Sequence, residues 1–168
     1  MKRFTSRSSI ALLIFLIGAA IATTWHFRPS FRLEKPVVSR TADEENIAEM
    51  VFRHQASEEG RSEGDAVFFL SRGEDTDPSD EFMRRFESVS RVRKFSECNK
   101  RGEGVTDKKT GERGMILEIH GVEWINDAAV KVGVTTYAWG WGQSGSVCHV
   151  VRDDGRWVVT GCELVFIT

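Results

Sequence analysis

The chain has 168 residues, and its 23 lysines and arginines nearly balance 25 aspartates and glutamates, for a formal net charge of −2. That balance gives no electrostatic reason to propose a nucleic-acid partner, which would need a basic face. The length allows one domain plus a tail.

Residues 1–9 carry Lys2, Arg3 and Arg7 and no acid, and residues 10–22 are an uninterrupted apolar run. A basic start before such a run is the pattern of an export signal. Two readings follow. Ala20, Ile21 and Ala22 form a small-x-small triplet, and cleavage there would release a secreted or periplasmic protein. Alternatively the helix continues to Phe27 and remains as a single-pass signal-anchor, at roughly the 17–20 residues a bilayer requires. Trp25 and Phe27 would then sit at the outer headgroup level. In either case the positive-inside rule holds residues 1–9 in the cytoplasm and sends the rest outside. Residues 28–41, with Pro29, Pro36 and alternating charges, read as a linker, leaving 42–168 as the folded domain.

Thr41 and Glu44 make a capping box that opens a helix over 42–57, with Ile47, Met50, Val51 and His54 on its apolar face. Residues 58–64 are charged and contain glycine, so a loop is expected. Residues 65–71 are nearly all apolar, the mark of a central strand covered on both faces. Asp77 as cap and Pro78 in the first turn begin a second helix, through Val89, that points Phe82, Met83 and Phe86 inward. A strand over 91–98 follows, then a glycine-rich, charged stretch over 99–114 that reads as a surface loop.

From Met115 onward the pattern is β. Runs over 115–124, 129–139, 146–152 and 156–167 are rich in β-branched and aromatic residues, and turn residues separate them. Helix, strand, helix and then a curled sheet is an α+β plan: a bent antiparallel sheet covered by two helices. The last hairpin, VCHVVRDDGRWVV over 147–159, has a strand, a turn of Asp and Gly, and a Trp opening the final strand. In this the chain resembles the NTF2-like (cystatin-like) superfamily, whose fold is an α+β cone with helices filling the hollow of a bent sheet. The resemblance implies a cone over 42–168 with a pocket between helix 77–89 and the sheet. It carries over no catalytic residue by motif. The chain departs from that pattern in having one helix before its first strand and a long stretch after Cys98.

Cys98, Cys148 and Cys162 lie on the exported side, where disulfides form, and three cysteines allow one bridge with one thiol left over. If the last hairpin sets Val151 against Trp157, Cys148 falls near Thr160. Cys162 is then one diagonal step away, a separation that a register shift or bulge would close. A bridge from Cys98 to a strand cysteine is the alternative, and three small buried hydrophobes are the simplest state. No C-x-x-C, P-loop, nucleophile elbow or H-E-x-x-H occurs, so no metal and no cofactor is implied. His120 and His149 would form a metal or acid–base site if their strands lay near and their faces agreed, with Asp127, Glu118 or Glu163 as third member.

Trp139 and Trp141, separated by Gly140 and preceded by Tyr137, are the ligand-binding candidates. Strand alternation points both indoles to one face beside glycines, where a sugar ring or a peptide strand would fit. The competing reading has Trp139 closing the core and Trp141 shielding a turn. Trp124 and Trp157 read as core, where truncation costs about 3–5 kcal/mol. The sequence thus describes an envelope module that binds a protein or envelope component, with a ligand-binding or enzymatic cone as the alternative. For the anchored form, immunoblotting is expected to find the full-length chain in the membrane fraction. A shortened, soluble chain would identify a cleaved signal instead.

Overall fold

A computed structural model describes residues 41–101, 104–138 and 142–168. The segment expected to be a signal or anchor and, up to residue 40, the expected linker lie outside the described residues. Among the described residues no helix is long and apolar enough to cross a membrane.

The chain enters through α1 (Thr41–Glu63) and continues into β1 (Val67–Ser71). A short helix α2 (Asp80–Arg84) leads to β2 (Val92–Lys94) and a 3-10 turn (Phe95–Glu97). The hairpin β3 (Cys98–Arg101) and β4 (Gly104–Asp107) precedes the long meander β5 (Gly114–Asn126), β6 (Ala129–Ala138), β7 (Gly142–Asp153) and β8 (Arg156–Ile167). The main sheet has six strands in the order β2-β1-β5-β6-β7-β8, and β3 pairs with β4 separately.

This corrects the expected architecture in two respects. The sheet is mixed: β1 runs parallel to both β2 and β5, and only the meander is antiparallel. One long helix covers it, where two were expected. The second helix is five residues long because the chain tightens immediately after it. Arg85, Phe86, Glu87 and Val89 each donate to the carbonyl three residues earlier, and these turns deliver the chain to β2. Ser79, not Asp77, caps α2 by accepting from the Phe82 amide at 3.1 Å. Asp77 instead accepts from the Ser96 amide at 2.7 Å.

Two other expectations change. The charged stretch 58–63 continues α1, which ends only at Gly64, where φ is +62°. A residue in that left-handed region is the common helix stop. The stretch expected as a loop after Asn99 forms the β3–β4 hairpin. The turn that follows β4 is closed by Asp107, whose carboxylate accepts from the Lys109 and Thr110 amides. The Thr110 amide foremost holds that carboxyl below the usual range, against the opposing effect of burial.

The hydrophobic run of β1 divides between two cores. Phe68 and Leu70 face the helix with Leu117, Ile119, Val130, Val132, Val150 and Trp157. Val67 and Phe69 face the other way, with Ile116, Cys98 and Val105. The buried stripe of α1 is Ile47, Ala48, Val51, Phe52 and Gln55, with Met50 partly buried against the same core; Ala48, Phe52 and Gln55 are the members the spacing did not assign, and His54 is only partly buried. Phe52 of α1 meets Phe82 of α2 edge-on at 6.0 Å between ring centres, and Phe82 meets Phe86 at 5.5 Å, all three within the helix-side core. Trp124 and Trp157 meet edge to face at 5.6 Å.

Gly114 starts β5 where a side chain has no room. A Cβ there would sit 2.4 Å from the buried Phe69 ring and 2.8 Å from the Val67 carbonyl. At Gly145 the Cβ would meet the Phe166 ring at 2.1 Å, but that ring is partly exposed and free to swing outward. Gly114→Ala is therefore expected to lose about 1–3 kcal/mol in a urea titration, and Gly145→Ala distinctly less.

Candidate functional site

The meander has two faces. Alternation sends Val130, Val132, Cys148 and Val150 toward α1, and Tyr137, Thr135, Lys131, Val147 and His149 to the opposite, outer face. The outer face is covered by the β3–β4 hairpin near β1 and β5, through Cys98 and Val105. Toward β8 it is open.

One polar row crosses the outer face. Ser71, Glu118 and Thr135 are register partners on β1, β5 and β6. A β5 register shift between Ile119 and Gly121 sets His120 beside them. Its Nε2 shares a 2.5 Å hydrogen bond with Thr135 Oγ1, and its Nδ1 faces Glu118 Oε1 at 3.7 Å. Hydroxyl, imidazole and carboxylate thus stand in sequence. Thr135 is only 6% exposed, however, and the strand amides around it belong to the ladder, so this row presents neither a reachable nucleophile nor free donors for an oxyanion. It reads as a cross-strand polar clasp.

The second notable feature is the free edge. Among the described residues β8 has a neighbour on one side only, and its last residues are apolar yet solvent-facing. Leu164 is 60% exposed and Ile167 67%, with Val165 and Phe166 also in the open. Two register shifts interrupt β8 against β7, one beside Val150 and one beside Ser146. Bulges of this kind blunt an edge against indiscriminate pairing.

Cys148 and Cys162 are joined by a disulfide with a Cα separation of 4.0 Å. The buried Gln55 of α1 donates its side-chain amide toward both sulfurs, at 3.2 and 3.3 Å. Cys98 is the free, buried thiol, and burial pushes it upward, away from the reactive thiolate.

His120 and His149 do not meet. β6 runs between their strands, and His149 Nε2 faces Glu163 Oε1 at 3.5 Å instead. Asp127 lies exposed in the β5–β6 turn. Among the described residues no group of three or more His, Cys, Asp or Glu is placed to hold a metal ion. Tyr137 is half-buried against the outer core, with the Lys100 ammonium 5.0 Å from its ring centre. Trp139 and Trp141 lie outside the described residues. Sequence reasoning missed the exposed end of β8, although the four consecutive apolar residues at 164–167 were a signal of it. A strand covered by one helix alternates, and that run does not.

No family model matches the chain, and neither a curated protein nor a solved structure matches it. Nothing in those comparisons bears on the resemblance to the NTF2-like superfamily.

The disulfide closes a loop with a sequence separation of 14, and cross-linking a loop of about that length stabilises by about 3 kcal/mol. Replacing both cysteines, Cys148→Ser with Cys162→Ser, is expected to remove roughly that amount in chemical denaturation. Dithiothreitol should produce the same shift in the unaltered chain.

Proposed function

We propose that the chain is a non-catalytic interaction module of the cell envelope. The apolar N-terminal segment holds it at the membrane as a signal-anchor, and the folded domain works on the extracytoplasmic side. Its partner is a protein that supplies an extended segment to the free edge of β8. The observation that carries the reading is the run of exposed apolar residues at 164–167 on that edge. Unpaired main-chain donors and acceptors beside apolar side chains suit a polypeptide strand better than a sugar or a lipid, neither of which matches the ladder. Supporting it, the interior between helix and sheet is occupied by side chains, with Ile47, Val51, Phe52, Leu117 and Val132 fully or almost fully buried. A ligand-binding cone would keep that space open.

The test places a photo-activated cross-linking residue at Val165 on the edge or at Glu123, far along the outer face, in cells making the full-length chain. A protein adduct of one defined mass from position 165, absent from position 123 and lost when Leu164→Lys is added, is the expected result. Equal labelling from both positions, or lipid adducts only, would overturn the reading.

A further inference from the structure

The last hairpin contains a change of register whose cause is covalent. Its turn places two residues, Asp154 and Gly155, at φ of +44° and +78°, the signs of the tight type I′ connection. Counting away from it, Asp153 pairs with Arg156, Arg152 with Trp157, Val151 with Val158 and Val150 with Val159. Continued without interruption, that register would set His149 against Thr160 and Cys148 against Gly161. Instead the ladder shifts: His149 pairs with Gly161 and Cys148 with Cys162, leaving Thr160 as the extra residue.

Side chains alternate along a strand, so one inserted residue turns everything after it to the opposite face. The shift carries Cys162 and Leu164 to the helix side and Glu163 to the outer face. Burial normally fixes such a choice. Here it does so weakly, because Glu163 is exposed and Leu164 and Ile167 are more than half exposed. A register is poorly specified where neither face is buried. At the near end of the shifted segment the bond between Cys148 and Cys162 fixes it; at the far end the Phe166 ring over Gly145 and the reciprocal backbone pair of Gln143 and Thr168 hold the same register.

We infer that this disulfide is a register lock, and that its reduction lets residues 161–168 slide by one position along β7. Gly161 then lies opposite Cys148, and Leu164 turns from the helix side to the outer face. Phe166, whose ring now covers Gly145, leaves that glycine. Reduction requires a dithiol. Its thiolate attacks the sulfur of Cys162, the half-exposed partner, and expels the fully buried Cys148 as a thiolate that takes up a proton. The second thiol of the reductant then cleaves the mixed disulfide, freeing Cys162 and leaving the reductant oxidised. Two electrons and two protons pass to the cystine. The inference concerns the fold alone and holds or fails whatever the edge binds.

The full-length chain carrying Gly161→Cys and Cys162→Ser tests it, with Cys148 retained. In the present register position 161 faces away from Cys148, so only the slipped register brings the two together. Mild oxidation followed by peptide mapping is expected to find Cys148 bonded to the thiol introduced at position 161; a folded variant in which Cys148 stays reduced would overturn the inference. A second measurement uses the unaltered sequence and does not depend on how that variant folds. The Gly145 α-protons, which lie against the Phe166 ring and are expected upfield in the oxidised protein, should move back toward their ordinary position on full reduction with dithiothreitol. An upfield shift that survives reduction also overturns the inference.

Discussion

One helix has to cover a sheet too wide for it. An α-helix with its side chains is about 10–12 Å across, whereas six strands spaced at about 4.8 Å spread over roughly twice that. The rest of the fold follows from the mismatch. α1 meets β8 and β7 near the last hairpin, where Asp43 binds Arg152 and Trp157. Its far end reaches β1, where Gly60 stands against Phe68. The helix therefore crosses the sheet on a diagonal and leaves opposite corners uncovered. The β3–β4 hairpin closes the other face of β1 and β5 with Cys98 and Val105. Nothing among the described residues performs that service for the end of β8.

Polar contacts line the diagonal beside the apolar stripe. Asp43 accepts from the Trp157 indole at 3.2 Å and pairs with Arg152, which itself lies over the Trp157 ring at 4.6 Å. Farther along, Glu49 binds both Arg53 and Arg85, and Arg53 also donates to the Arg85 carbonyl at 2.6 Å. Exposed ion pairs contribute little. These are partly shielded, and their guanidinium groups rest on aromatic faces, Arg53 on Phe86 and Arg72 on Phe82, where the attraction is larger. The same contacts explain why α2 stays short: the Arg85 carbonyl is already engaged by Arg53, and the tightened turns after it keep Phe86 in the aromatic stack.

Where one physical pattern dominated, the sequence was legible. The apolar run ending at Ser71 declared a strand buried on both sides, and β1 does divide its residues between two cores. Alternating β-branched residues after Met115 declared the meander. Elements with few apolar residues were not legible. The β3–β4 hairpin contributes only Cys98 and Val105 to its core amid charges that read as a loop. The last turns of α1 carry Glu58, Glu59, Arg61 and Glu63, whose helix propensity is good but whose lack of apolar period hides it. Parallel pairing of β1 with β2 and β5 is a property of chain direction, which local composition does not encode. The polar row of Ser71, Glu118, His120 and Thr135 was half visible: Glu118 and His120 were candidates, but the two hydroxyls come from strands whose alignment only pairing reveals.

The cysteine pair shows how small errors of register decide chemistry. Reading the hairpin with Val151 against Trp157 places Cys148 beside Thr160, two positions short of Cys162. The type I′ turn pairs Val151 with Val158 instead, which moves Cys148 on to Gly161. The extra residue at Thr160 moves it once more, to Cys162. The first of these steps is written in the sequence, since Asp-Gly at a hairpin tip favours the two-residue turn. The second is not, because a bulge follows from what the strand must align farther on. The interruption beside Ser146 obeys the same logic: it returns Phe166 to the outer face, directly over Gly145, so that a glycine lacking any side chain of its own is covered by its neighbour's ring. Each irregularity in β8 thus has a partner in β7 that needs it, a sulfur in one case and a bare backbone in the other. An edge strand shaped by its single neighbour in this way keeps little regularity for an arbitrary second strand to match, which narrows the segments able to pair with it.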